Sequence, residues 1–88
     1  MNAPFRVEFV PSAARDYRGL PEAIQTRVAA CLEALAGEPL SGKPLQGPYH
    51  GLRSYRVGEF RIVYRVDAKA RLIAVRRIGN RRDVYRRV

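Results

Sequence analysis

Four side chains in two short stretches could act together on a phosphate: Arg61 and Arg65 in "VGEFRIVYRV" (57–66), and Arg81 and Tyr85 in "GNRRDVY" (79–85). Arginine stays charged at any physiological pH, and its planar fork of N–H donors matches the non-bridging oxygens of a phosphate. Cleavage of RNA by its own 2′-hydroxyl needs a base at that hydroxyl, an acid at the departing 5′-oxygen, and positive charge around the pentavalent phosphorane. Arg61 and Arg81 converging on one phosphate would supply the last of these, with roughly a hundredfold or more in rate per donor. Tyr85 is the candidate to orient or deprotonate the 2′-hydroxyl. The competing reading makes it a C-terminal aromatic packed on the sheet edge. His50, the only histidine, sits in a Pro/Gly loop and reads as solvated. The chain carries no Cys/His metal spacing, no glycine-rich phosphate loop before a helix and no serine–histidine pairing, so no cofactor or metal is expected.

The charge supports a polyanionic partner. Residues 1–44 hold five Lys+Arg and five Asp+Glu, whereas residues 45–88 hold twelve and three, so the whole net charge of +9 falls in the second half. Fifteen of the seventeen basic residues are arginine, which suits bidentate phosphate contacts and stacking on bases. An arginine-rich codon bias would explain the Arg:Lys ratio but not the difference between halves. Lys43, Arg53, Arg65, Arg77, Arg82 and Arg86 are the further candidates for binding RNA or the ribosome, and Arg56 joins the candidate catalytic set. Arg6, Arg15, Arg18 and Arg27 have acids nearby in sequence and read as a solvated helix face. Eighty-eight residues make one domain, 1–88, close to the size below which a single core struggles to hold a fold. No run of apolar residues is long enough for a membrane span or a signal peptide, so a soluble, cytoplasmic protein is expected. Cys31 is alone and reads as a small core residue of a helix.

These groups need a scaffold. "FRVEFV" alternates apolar and charged residues as a half-buried strand does. Pro11 and Ser12 end it, with Ser12 as the expected cap of a short helix, "AARDYRGL". A longer helix from about Glu22 to Ala36 places Ile24, Val28, Cys31, Leu32 and Leu35 on one stripe. The four glycines and three prolines of residues 37–51 predict an irregular loop, long enough in so small a domain to suggest a binding role. An antiparallel meander follows, over about 52–57, 59–67 and 71–78. In its middle strand Phe60, Ile62, Tyr64 and Val66 face the helices, leaving Arg61, Val63 and Arg65 on an open side. Periodicity does not decide between Arg76 and Arg77 for that side. The fold expected is α+β, β-α-α-β-β-β, with two helices on one face of a twisted antiparallel sheet.

The sequence resembles the RelE/ParE superfamily of type II toxin-antitoxin toxins. The resemblance is carried by "FVPSAARDYRGLPEAIQTRV", by "GKPLQG" at 42–47, by "YRVGEFRIVYRVD" at 55–67 and by "IGNRRDVY" at 78–85, four stretches in the family's order. It implies a strand, two helices, a three-stranded meander and a short C-terminal segment. On the RelE branch it implies a ribosome-dependent mRNA endonuclease held inactive by an antitoxin, with the ribosome and mRNA as further partners. Arg61, Arg81 and Tyr85 match that branch's active-site pattern and Arg56 one of its paired basic positions. Ser54 stands where the other basic residue would be, and Asn80 where many relatives have histidine. Two alternatives stay open: a ParE-like inhibitor of DNA gyrase on the same fold, and a non-catalytic basic RNA-binding module.

Overall fold

The structure is a computed structural model that describes residues 3–85. Strand β1 (Arg6–Phe9) leads into helices α1 (Pro11–Arg18) and α2 (Glu22–Gly37), then strands β2 (Lys43–Pro44), β3 (Arg53–Val57), β4 (Phe60–Asp67) and β5 (Leu72–Asn80). The strands form one sheet in the order β1-β5-β4-β3-β2. Pairing is antiparallel from β2 through β5, and β1 runs parallel to β5 with Arg6 opposite Leu72 and Phe9 opposite Val75. The fold is therefore α+β as expected, with a mixed sheet instead of an antiparallel one. Alternation in β1 fixes which face it buries but carries no information about its neighbour's direction.

One apolar layer joins the helices to the sheet. Ala13 of α1 and Val28, Leu32 and Leu35 of α2 pack on Val57, Ile62, Tyr64, Ile73, Val75 and Ile78, with Ile24 and Cys31 partly buried against them. The α2 stripe is thus the one its 3.6-residue period dictates. The two helices are locked at their elbow, where Tyr17 Oη donates to Gln25 O at 3.2 Å and Gln25 Nε2 donates to Tyr17 O at 2.7 Å.

The 37–51 segment is more regular than its composition suggests. Single 3-10 turns at Pro39–Ser41 and Gly47–Tyr49 flank β2, whose Lys43 pairs with Ser54 and Pro44 with Arg53. Tyr64, fully buried, organises it: its hydroxyl donates to Pro39 O at 2.9 Å and accepts from Gly42 N at 2.9 Å. A β-carbon on Gly42 would lie 2.3 Å from that hydroxyl oxygen, so only glycine fits there. Burial raises the ionisation of Tyr64 above its ordinary value of 10.0, opposed by the Gly42 amide and then by the Arg53 charge. Arg53 completes the clamp, donating from Nη1 to Gly42 O at 2.7 Å and Leu40 O at 3.2 Å.

Two local expectations are corrected. Ser12 does not cap α1: Val10 is the N-cap residue, and Ser12 Oγ donates to Arg76 O of β5 at 3.3 Å. Strand β5 runs to Asn80, two residues past the expected end, because Phe60 and Arg61 of β4 supply partners for Asn80 and Gly79.

Candidate functional site

Strand β4 sends Arg61, Val63 and Arg65 to the face away from the helices, and its neighbours extend that row. Arg56 and Ser54 of β3 stand directly opposite Arg61 and Val63, and Gly79 of β5 opposite Arg61. Directly opposed residues of an antiparallel pair share a face. Yet Val63 is as buried as the core, although it lies outside the helix-facing cluster. Its cover is the turn that follows β5. Arg81 N donates to Glu59 O at 3.0 Å, Val84 N donates to Asn80 O at 2.9 Å, and Val84 packs on Gly79, where a β-carbon would be 3.8 Å from Val84 Cβ. Tyr85 then reaches back across β4 to β3, its phenol donating to Ser54 Oγ at 3.1 Å. The face expected to lie open is closed at its centre.

This return builds the site. Ser54 Oγ, in a residue only 3% exposed, receives the Tyr85 phenol and lies 3.5 Å from Arg61 Nη1. Tyr49 holds Tyr85 from the other side: its hydroxyl donates to Tyr85 O at 2.9 Å, and the two rings sit 5.4 Å apart at 43°. Beside Arg61, Arg56 donates from Nε to Gly58 O at 3.0 Å and, with Arg81 and Arg82, lines an open cleft of about 450 Å³ at the β3–β4 turn. Arg56 therefore connects two clusters: it is the cross-strand neighbour of Arg61 and a wall of the cleft that holds Arg81.

The further candidates separate by what already holds them. Arg77 pairs with Asp16 of α1, Nε to Oδ2 at 2.7 Å, and the same carboxylate accepts Ile78 N at 2.9 Å. Its side chain is one-fifth exposed, so it braces α1 against the sheet where β1 has ended. Arg53 is likewise engaged by loop carbonyls. Lys43 and Arg82 are exposed, and Arg65 is exposed at the far end of the face. The unresolved choice is settled by a β-bulge: pairing passes from Val63 opposite Arg77 to Tyr64 opposite Val75, leaving Arg76 unopposed and lining a second cleft with Arg15 and Arg65. Arg86 lies outside the described residues. Sequence reasoning missed Ser54 and Tyr49 as parts of the site. Only the long loop containing Tyr49 gave a hint, since nothing local shows that Tyr85 returns to β3.

Comparison with known proteins agrees with this architecture. A family model described as the ParE toxin of the type II toxin-antitoxin system, parDE, matches residues 7–85. Toxin RelG of Mycobacterium tuberculosis is 37% identical over 86 residues, covering 96% of this chain and 99% of RelG. Toxin RelE of the same organism is 38% identical over 88 residues, covering 94% and 88%. Among solved structures, the toxin-antitoxin complex RelBE2 of M. tuberculosis contains a chain that superimposes with a TM-score of 0.82 at 35% identity, covering 89% of this chain and 99% of that one. Isolated E. coli RelE shares the fold, with a TM-score of 0.75 at 18% identity and coverage of 86% and 83%. No helix among the described residues is long and apolar enough to cross a membrane. With the family model spanning most of the chain and two relatives above a third identical along nearly its whole length, this protein is a toxin of the RelE/ParE family of type II toxin-antitoxin systems.

Proposed function

We propose that this toxin is an endoribonuclease that cuts mRNA on the ribosome. The observation that carries the reading is the meeting of Tyr85 and Arg61 at the Ser54 hydroxyl, next to the Arg56–Arg81 cleft. Ser54 occupies the phenolic donor of Tyr85, which leaves the phenol's lone pairs free to receive the 2′-hydroxyl of a bound strand. As that hydroxyl gives up its proton, its oxygen attacks phosphorus and the bond to the 5′-oxygen breaks. The 5′-oxygen leaves with a proton, and the other product is a 2′,3′-cyclic phosphate. The guanidinium groups of Arg61, Arg56 and Arg81 stabilise the charge that grows on the non-bridging oxygens. The set lacks a strong base, so much of the rate must come from a strand already held bent, the orientation a ribosome supplies. The solved relatives are toxin-antitoxin complexes, which supports a cognate antitoxin as this chain's partner. It also supports a cytoplasmic site of action.

A second reading is favoured by the description of the matching family model: a ParE-type toxin, which would poison DNA gyrase without cutting RNA. One experiment separates the two. The wild type and Arg61→Ala and Arg81→Ala variants are induced in cells, with growth, mRNA 5′ ends and plasmid supercoiling followed together. The nuclease reading expects new mRNA ends with the wild type and relief of arrest with each variant, and single-turnover cleavage on programmed ribosomes lowered roughly a hundredfold. Arrest with intact mRNA and lost supercoiling would replace it with the gyrase reading.

A further inference from the structure

The second cleft, of about 440 Å³, lies at the opposite end of the same sheet face and has no part in the chemistry above. Three guanidinium groups from three elements line it: Arg15 of α1, Arg65 of β4 and Arg76 of β5. Each is placed by something specific. Arg65 stands opposite Ala74, whose small side chain leaves the space open. Arg76 is the extra residue of the bulge, which aims it away from the regular row. Its backbone is held by Ser12 Oγ. Arg15, expected to be balanced by neighbouring acids, is not: the acid one residue on, Asp16, is committed to Arg77 and the Ile78 amide. Among the described residues none of the three guanidinium groups makes a hydrogen bond or ion pair, and the ion pairs there are Arg6 with Glu8 and Arg77 with Asp16.

We infer that this cleft is a second phosphate-binding site, which takes a backbone phosphate of a nucleic acid separate from any phosphate held by Arg61 and Arg81. Arg65 lies four residues beyond Arg61, roughly 13 Å along a strand, too far for both to grip one anion. Three converging forks offer more donors and charge than a single carboxylate can use, whereas the non-bridging oxygens of successive phosphates match them. The inference goes beyond the nuclease reading, since binding here requires no cleavage and would hold for a gyrase inhibitor too.

The test uses the full 88-residue chain and a labelled single-stranded RNA that is 2′-O-methylated throughout and so cannot be cut through its own hydroxyls. Affinity is measured across a salt series for the wild type and for the triple variant Arg15→Ala/Arg65→Ala/Arg76→Ala. Loss of one phosphate contact should weaken binding roughly tenfold at low salt and flatten the log–log salt slope by about 0.7. The matching triple lysine variant should keep most of the slope. Vacant ribosomes form a parallel arm: an effect there but not on the oligonucleotide assigns the site to ribosomal RNA, and the reverse assigns it to the substrate strand. Unchanged binding in both arms, or an effect confined to a poly-glutamate peptide, overturns the inference. The three guanidinium groups have no internal partners, so the triple variant should melt as the wild type does. If it does not fold, Arg65→Gln alone is read by the same criteria.

Discussion

Ser54 gives the sharpest test of the site, because its role should be to position and not to react. Replacing it with alanine removes the acceptor of the Tyr85 phenol at 3.1 Å, while Arg61 at 3.5 Å loses little, that distance being at the outer limit of a hydrogen bond. A neutral hydrogen bond contributes about 0.5–1.5 kcal/mol net, and Tyr85 is only partly buried, so water can replace some of what is lost. A disordered phenol should therefore slow single-turnover cleavage on programmed ribosomes by roughly two- to tenfold, since about 1.4 kcal/mol is a factor of ten. Tyr85→Phe, which removes the proton-transfer group itself, should cost about a hundredfold or more. The double variant should match Tyr85→Phe alone, because Ser54 acts only through the phenol. Two results would refute this reasoning: a Ser54→Ala loss as large as that of Tyr85→Phe, which would place the serine in the chemistry, or a double variant far slower than Tyr85→Phe.

The scaffold makes its own predictions. Gly42→Ala forces its methyl group into the Tyr64 hydroxyl and should destabilise the fold by about 2 kcal/mol in denaturant melts, while adding Tyr64→Phe should recover part of that loss. Asp16→Ala leaves Arg77 and the Ile78 amide unpaired in a half-buried place; a cost of about 2 kcal/mol should appear as a drop of roughly 10 °C in thermal midpoint. Tyr64 holds its proton more tightly folded than unfolded, so its contribution is full below about pH 10 and declines as pH rises through the folded-state value. Tyr64→Phe should flatten the alkaline part of the stability profile, and an equally steep loss in that variant would remove Tyr64 as its cause.

Local pattern revealed much of this and distance in sequence hid the rest. The period-two alternation of β4 correctly separated Ile62 and Tyr64 from Arg61 and Arg65, because a strand with one buried face cannot slip by a residue. The α2 stripe was legible for the same kind of reason. What could not be read is what the chain does on returning to itself. Val63 looked open because nothing in "VGEFRIVYRV" foretells that Val84 and Tyr85 fold back over it. Arg76 and Arg77 could not be told apart because a bulge shifts the phase of β5 between Val75 and Arg77, and alternation assumes a constant phase. Ser54 looked like a missing basic residue when viewed along the chain. In space it is the acceptor that holds Tyr85 in the site.

The same folding turns a net charge into an arrangement of charges. The second half carries twelve basic residues, a count that says nothing about which are free. Asp16 neutralises Arg77, backbone carbonyls occupy Arg53, and Arg71 lies 4.6 Å over the ring of Phe5. The remaining charges do not spread evenly: Arg56, Arg61, Arg81 and Arg82 gather at one end of the face, and Arg65 and Arg76 meet Arg15 at the other. Between them lies the buried patch of Val63 and Val84, which excludes water and anions alike. Two short-range electrostatic sites on one rigid sheet fix the direction of a polyanion as well as its position, which one central patch could not do. A toxin that must present one bond of a strand to Tyr85 needs that direction set before chemistry can begin.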